Sequence, residues 1–516
     1  MLTIRVFLLA ILVMNPLRHY SQDFPTDYLS DKADIGTYEK AGNSSYDAEE
    51  QLYHLESPIS PEYGEHFVYR KVSGNFLFTA DLTWEGEVPG NSQLGLMMVN
   101  SLENSTSSFS KFKDTLSHKF VYPYPIHFYL DSVNHAELQI SSGWHSEING
   151  SPVRRYRTFQ LERLGDQIIF RAAGVGEPMQ EIFSKEMSEL EEEVFIGLFI
   201  KSSDDEKAIK AKAWNVRIDQ PVQKGYDAYE EGFLASRLET LNVFTGERKI
   251  IHEHRGKLEA PNWMPDGEKL LYNQDGHIYT ISLEGGEPQQ LDTGLADRNN
   301  NDHGISFDGK VLAISHHREN MPAGGSTVYV LALEGGEPKL VTEHTPSYWH
   351  GWSPDNEFVI YVAKREGDER YNIFRKSIHG GEEEQLTDIA EGEHVDGCEY
   401  DPAGEYIYYN GSHSGSMQIW RMKPDGSAGE QLTFEETNNW FPHISPDGKW
   451  MVYLAYPADI PLNAHPFYQR VSLKLMPLDG GAPRTIAYLY GGQGTINVPS
   501  WSPDSKHVAF VSNSRK

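Results

Sequence analysis

Cysteine is almost missing: Cys398 is the only one in 516 residues. No intramolecular disulfide can form, and no cysteine is available for lipidation near the N-terminus. Basic residues are few beside acidic ones, 45 Lys and Arg against 75 Asp and Glu, for a formal charge of −30. A nucleic-acid partner needs a basic stripe to neutralise phosphates; none is visible, and that class is excluded. The acid excess is dispersed apart from short runs such as Glu189–Val194, the pattern of a solvated acidic surface. Long apolar runs are missing too. Val6–Met14, behind Arg5, falls well short of the about 20 residues that span a bilayer. It suits the apolar core of a signal peptide over residues 1–22, cleaved near Ser21–Gln22, with a short membrane anchor as the alternative. The expectation is a periplasmic or secreted protein with no integral membrane domain in the mature chain. Catalytic signatures are also absent: no Walker loop, no CxxC pair and no HExxH helix. Gly411–Gly415, "GSHSG", has His413 where a nucleophile elbow needs serine, and the chain ends without an α/β-hydrolase domain.

What is present is β-forming. Hydrophobic residues make up 39% of the chain and aromatics 12%, with 28 Tyr and 10 Trp. The length predicts two domains. Residues 23–60 are polar and turn-rich and read as a lead-in. From Phe67 the sequence turns to short alternating runs, "HFVYRKVSGNFLFTADLTW", "LGLMMVNS", "YRTFQLERLGDQIIFRAAG", "EVFIGLFIKSSDD" and "AKAWNVRI", which predict a β-sandwich over 61–220. Helical periodicity surfaces briefly at Glu181–Glu192, where a loop fits as well. Trp84 and Trp214 read as core. Ser142–Tyr156, with Trp144, His145, Arg154 and Arg155, reads as a loop that lines a concave ligand face. The order of these runs resembles the concanavalin-like jelly rolls grouped as DUF1349 or laminin-G-like domains. Such domains accompany carbohydrate-active proteins.

Behind them comes an internal repeat. The segments "NWMPDGEKLLY", "ISFDGKVLAIS", "GWSPDNEFVIYVA", "EYDPAGEYIYYNG", "HISPDGKWMVYLA" and "SWSPDSKHVAFVS" align on Pro265, Phe307, Pro354, Pro402, Pro446 and Pro503, at spacings of 42, 47, 48, 44 and 57. A second turn, such as "LEGGEPQQL", follows each of the first five. Each unit predicts four antiparallel strands, one blade of a β-propeller. The last unit stops after two strands, while "RLETLNVFTGERKIIHEH" supplies two before the first unit. Six blades over 221–516, closed by joining N- and C-terminal strands, is the expected count; joining the ends removes exposed edges. "SPDGKW" and "SPDSKHVAFVS" resemble the PD40 (WD40-like) repeats of TolB-like propellers. The resemblance implies a fold shared by Tol-system proteins, prolyl oligopeptidase propellers and oligogalacturonate lyases.

In such blades the "SPDG" and "GG" turns share one face, where Pro, Asp and Gly serve the backbone. The loops leading into the first strands, and those between strands two and three, share the other. They carry His303, His316, His317, His350, His394, His413, His443 and His465, with Asn301, Asn439, Asp302, Asp396, Arg318 and Arg365 among them. This face is the expected binding surface. Counted from the turn, His303 and His350 are equivalent and are the candidate ligands for a divalent metal; His443 is one residue out of register. The first functional reading is a noncatalytic exported protein that binds a glycan or protein partner on this face, with a divalent metal ion as the one candidate cofactor. The alternative is a metal-assisted polysaccharide lyase of oligogalacturonate type. There Arg318 or Arg365 neutralises a uronate, and a histidine of the His303 and His350 group acts as base.

Overall fold

The computed structural model describes residues 28–515 apart from 62, 101, 103–125, 131–135, 141–143, 147–155, 188–189 and 322–324. The signal-peptide expectation lies outside the described residues, as do Arg154 and Arg155; within the same segment Trp144–Ser146 forms a short strand. The chain is all-β, and Ala228–Glu231 is the only helix among the described residues.

Two seven-stranded antiparallel sheets come first. Alternate residues of Phe76–Glu85, namely Phe76, Phe78, Ala80 and Leu82, meet Leu94, Leu96 and Met98 of the facing Gln93–Val99 strand in one core. The period of two places these sets on facing surfaces. Residues 28–60, within the stretch read as a lead-in, contribute strands to both large sheets. Asp31–Thr37 pairs with Tyr63–Ser73, and Leu52–Glu56 pairs with Lys210–Asp219. Their alternation, with Tyr53 and Leu55 inward, is too short to stand out from a polar stretch. Where helical spacing surfaces in the sequence, Gln180–Glu186 is instead an edge strand paired with Gln167–Gly174.

Six smaller sheets follow, five of four strands and one of three. In each four-stranded sheet the strands pair in chain order. The three-stranded sheet joins distant parts of the chain: Ala235–Asn242 pairs along its length with His507–Ser514 and, on its other side, with Arg248–His254. The repeated turn has one geometry. Its left-handed residue is Gly267, Gly309, Asn356, Gly404, Gly448 or Ser505, at φ between +60° and +74°. Glycine tolerates that region, and asparagine does so better than most. In four units a serine hydroxyl donates to the turn aspartate, as Ser353 Oγ does to Asp355 at 2.5 Å and Ser445 Oγ to Asp447 at 2.6 Å.

Buried charge ties the two halves together. Glu239, in the Ala235–Asn242 strand, accepts from Arg217 of the Lys210–Asp219 strand at 2.7 Å and from Arg248 at 2.7 Å. Arg237 spans Asp219 at 2.5 Å and Glu253 at 3.2 Å, and Tyr28 Oη donates to Glu253 at 2.9 Å. Ions this deep persist only when every partner is present.

Candidate functional site: a polar cavity

The first strands of successive small sheets stand side by side, from Leu258–Trp263 through Asn438–Ile444. Each carries a register shift just ahead of the turn. Ala260, Gly397 and Phe441 occupy the same repeat position and take φ of +53°, +58° and +55°. A bulge leaves its extra residue unpaired and re-aims the side chain. The bulges also differ. In the Asn299–Ile305 strand pairing jumps from Asn299↔His316 to His303↔Ile314, so Asn300, Asn301 and Asp302 stand outside the ladder. In Ser347–Trp352 it passes from Trp349↔Tyr361 to Gly351↔Ile360, and His350 is the unpaired residue.

These bulged residues converge on a cavity of about 360 Å3, within the ~300–1,000 Å3 typical of small-molecule sites. Its polar lining includes Asn300, Asn301, Asp302, His350, Asp396, Gln493 and Asn497. Tyr348, Tyr371 and Phe441 add aromatic wall, and Tyr229 stands at its edge. Asp396 Oδ1 accepts from Nε2 of His350 at 2.8 Å; its Oδ2 faces His465 at 3.6 Å and His394 at 3.9 Å. Amides link the rest: Gln493 Nε2 donates to Asn301 Oδ1 at 3.0 Å, Asn301 Nδ2 to Asp302 Oδ1 at 2.9 Å, and Asn497 Nδ2 to Gln493 Oε1 at 3.2 Å. Gln493 Oε1 also meets Nδ1 of His465.

The two carboxyls are held in opposite states. Burial pushes Asp302 up to about 7; His350 opposes this, and Asp396 and Glu259 add to it. Burial also works against charge on Asp396, but the His350 charge and hydrogen bond outweigh it, holding the carboxyl well below the usual range. The same pair raises His350 above an ordinary histidine despite its burial. Burial lowers His465. At neutral pH the cavity therefore offers an acid poised to donate, an anion clamped by imidazole, and several amides that both donate and accept.

The predicted face divides accordingly. His317, His350, His394, His465 and Asn301 line the cavity. His303, equivalent to His350 in the repeat, does not. It is fully buried beside the carbonyls of Asn300 and Ala260, and burial pushes it down to about 4. The two histidines named as metal candidates thus differ in bulge and in surroundings. Among the described residues no group of three or more His, Cys, Asp or Glu is placed to hold a metal ion. His443 is also buried, with Nδ1 on Glu399 at 2.6 Å and Nε2 on the Ile496 carbonyl at 2.6 Å. His413 pairs with Glu393 at 2.9 Å and lies edge-on to Trp420. His316 Nδ1 accepts from the Arg298 amide at 3.3 Å. Asn439 is buried and donates to Gln418 and Thr433. Arg365 makes a two-pronged pair with Glu383, at 2.5 and 2.7 Å, and Arg318 lies 3.7 Å from the Met321 sulfur. Neither arginine lines the cavity.

Sequence reading does not single out Tyr348, Tyr371, Phe441, Gln493, Asn497 or Tyr229. Gln493 and Asn497 lie in "GGQGTINVPSW", a loop on the expected face whose interest is hidden by its lack of histidine. Tyr229 sits in the connection 221–234, where the local cluster "YDAYEEGF" is the available signal.

The TolB β-propeller domain family matches residues 225–398. An uncharacterized protein of Agrobacterium fabrum is 43% identical over 281 residues, covering 54% of this chain and 93% of the relative. The solved structure of a TolB-type protein from Agrobacterium tumefaciens is 43% identical with a TM-score of 0.51, over 55% of this chain and 99% of that one. TolB of Acinetobacter baumannii, at 17% identity and a TM-score of 0.39 over 65% of this chain and 80% of its own, is alike in fold alone.

Proposed function

The chain belongs to the TolB-like β-propeller family, and from that premise we propose that it is an exported, noncatalytic glycan-binding protein whose ligand is a neutral sugar held in the polar cavity. In this reading the six small sheets are blades of one ring closed by Ala235–Asn242 on His507–Ser514, and the two larger sheets are a concanavalin-like sandwich.

One observation carries the ligand class. The described lining is built of amides, carboxyls, imidazoles and aromatic rings, and contains neither Arg nor Lys. Sugar hydroxyls need partners that donate and accept at close quarters, and Asn, Gln and a protonated Asp302 do so. A uronate brings a carboxylate, but this described lining has no Arg or Lys to pair with it and His350 is already engaged by Asp396. An acidic polysaccharide is therefore disfavoured, and with it the lyase alternative, whose arginines stand elsewhere.

Calorimetric titration of the purified chain with neutral sugars and with galacturonate and glucuronate oligosaccharides tests this. Binding of a neutral sugar, with the ligand recovered intact by mass spectrometry, supports it. Cleaved ligand, or the ultraviolet absorbance of a new C=C from uronates, overturns it. Export is tested separately by the N-terminus of the mature protein in the periplasmic or secreted fraction.

A further inference from the structure

To the lining of the cavity the connection between the two halves contributes an aromatic ring with no evident structural need for exposure. Tyr229 is 75% exposed, yet it lines the same cavity as Asp302, His350 and Asp396. Its ring is held edge-on by Phe233 at 5.4 Å and by Phe467 at 6.0 Å, and these two meet each other at 5.6 Å. Lys257 Nζ lies 4.9 Å from the Phe233 ring.

The connection itself is pinned along its length. The Val222 amide donates to Tyr490 Oη at 3.0 Å, the Leu234 amide to Tyr468 Oη at 2.9 Å, and Tyr226 Oη to the Gly232 carbonyl at 2.8 Å. Asp227 caps the short helix by accepting from the Tyr229 amide at 2.9 Å. The backbone that carries Tyr229 is thus held in place, and its ring packs edge-on against two others. Phe467 comes from the long insertion between Tyr456 and Gln469, which also places Asn463 and His465 in the lining. Two insertions from opposite parts of the chain build one rim.

We propose that the exposed face of Tyr229 is a second sugar-binding position, continuous with the polar cavity, so that the site takes the end of a neutral oligosaccharide. A pyranose carries its C–H groups on a face and its hydroxyls around the edge. Stacking on a ring buries the former and leaves the latter in water, which suits a rim better than an enclosed pocket. An exposed aromatic next to a polar cavity marks a ligand surface. This inference rests on the cavity being a saccharide site, and the test separates the two.

The full chain is titrated calorimetrically with glucose, mannose and galactose and with their di- and trisaccharides, alongside Tyr229→Ala and Tyr229→Phe. The expected result is affinity rising about tenfold from monosaccharide to disaccharide. Tyr229→Ala removes that gain, so that mono- and disaccharide bind it with equal affinity, whereas Tyr229→Phe retains it because the ring face survives. A disaccharide that binds no more tightly than its monosaccharide, or a gain that persists in Tyr229→Ala, overturns the second position while the cavity reading stands. If no sugar in the series binds the native chain, the cavity reading falls and takes the second position with it. Unchanged circular dichroism and Tm for the exposed Tyr229 variants establish that loss of gain is not loss of fold.

Discussion

Nε2 of His350 donates to the Asp396 carboxylate across 2.8 Å, although the two residues belong to first strands of neighbouring sheets. Both residues line the cavity, and the pair sets the state of the groups around it: Asp396 stays an anion, His350 is favoured as a cation, and Asp302 is left as the protonatable carboxyl.

Breaking this pair on one side should cost more than removing both partners. His350→Ala leaves the buried Asp396 carboxylate the Gly397 amide at 2.9 Å and imidazoles at 3.6 and 3.9 Å, with no close counter-charge. Urea unfolding is expected to find a loss of about 3–5 kcal/mol, the usual cost of an uncompensated buried charge. His350→Ala with Asp396→Asn should recover part of that loss. Additive single and double values would show that the pair is not coupled.

Asp302 makes the stability of the fold fall as pH rises. Its folded pKa of about 7 is above that of an exposed carboxyl, so the folded chain holds the proton that the unfolded chain releases. The contribution is full below the unfolded pKa and is lost as pH rises through about 7. His350, also raised, acts in the same direction, whereas Asp396, lowered, matters only in acid. His303 and His465, lowered by burial, act in the opposite sense in both proteins, so the test is the difference: between pH 5 and 8 the Tm of the native chain should fall relative to that of Asp302→Asn. Equal slopes in the two proteins would contradict the assignment.

The Glu239 carboxylate is the shared partner of Arg217 and Arg248 and accepts a further hydrogen bond from Ser512 Oγ at 2.5 Å. Burial opposes its charge, but the two arginines hold its pKa at about 2. A depressed carboxyl stabilises above the unfolded pKa and loses that contribution as pH falls through the folded value. Glu239→Gln should cost about 3–5 kcal/mol at pH 7, because two buried guanidiniums lose their counter-charge. Chemical denaturation should also find that acid, between pH 4 and 2, destabilises this variant less than the native chain.

Gly304 illustrates a constraint of space rather than of backbone. A Cβ there would stand 2.0 Å from Cη2 of the buried Trp349 ring, while the Gly304 carbonyl accepts from Trp352 Nε1 at 3.0 Å. Gly304→Ala must displace a tryptophan wedged between neighbouring sheets, and a loss of about 1–3 kcal/mol is expected from overpacking. A Tm within a degree of the native value would mean that the ring moves freely.

Much of the architecture is legible from residue order. The repeat segments announce the small sheets, and their turn residues take the left-handed geometry for which Gly and Asn are suited, with Ser505 taking it in the last unit. The alternation of Phe76, Phe78, Ala80 and Leu82 announces a face of a large sheet. Strands hidden in polar stretches, such as Asp31–Thr37, are not legible, because their partners lie far along the chain.

The site is legible only as a face. Sequence places Asn301, His350, His394 and His465 together with His303, His413 and His443, and counting from the turn makes His303 the twin of His350. That count assumes one side-chain period along every first strand, and bulges of different width break it. Local chemistry determined the repeats, the turns, the polar face and the acidic surface, since each depends on residues close in sequence. Tertiary structure alone decided which bulged side chains reach the cavity, that Asp396 is clamped by a histidine of the neighbouring sheet, and that exposed Tyr229 joins the lining, because each depends on where separate strands meet.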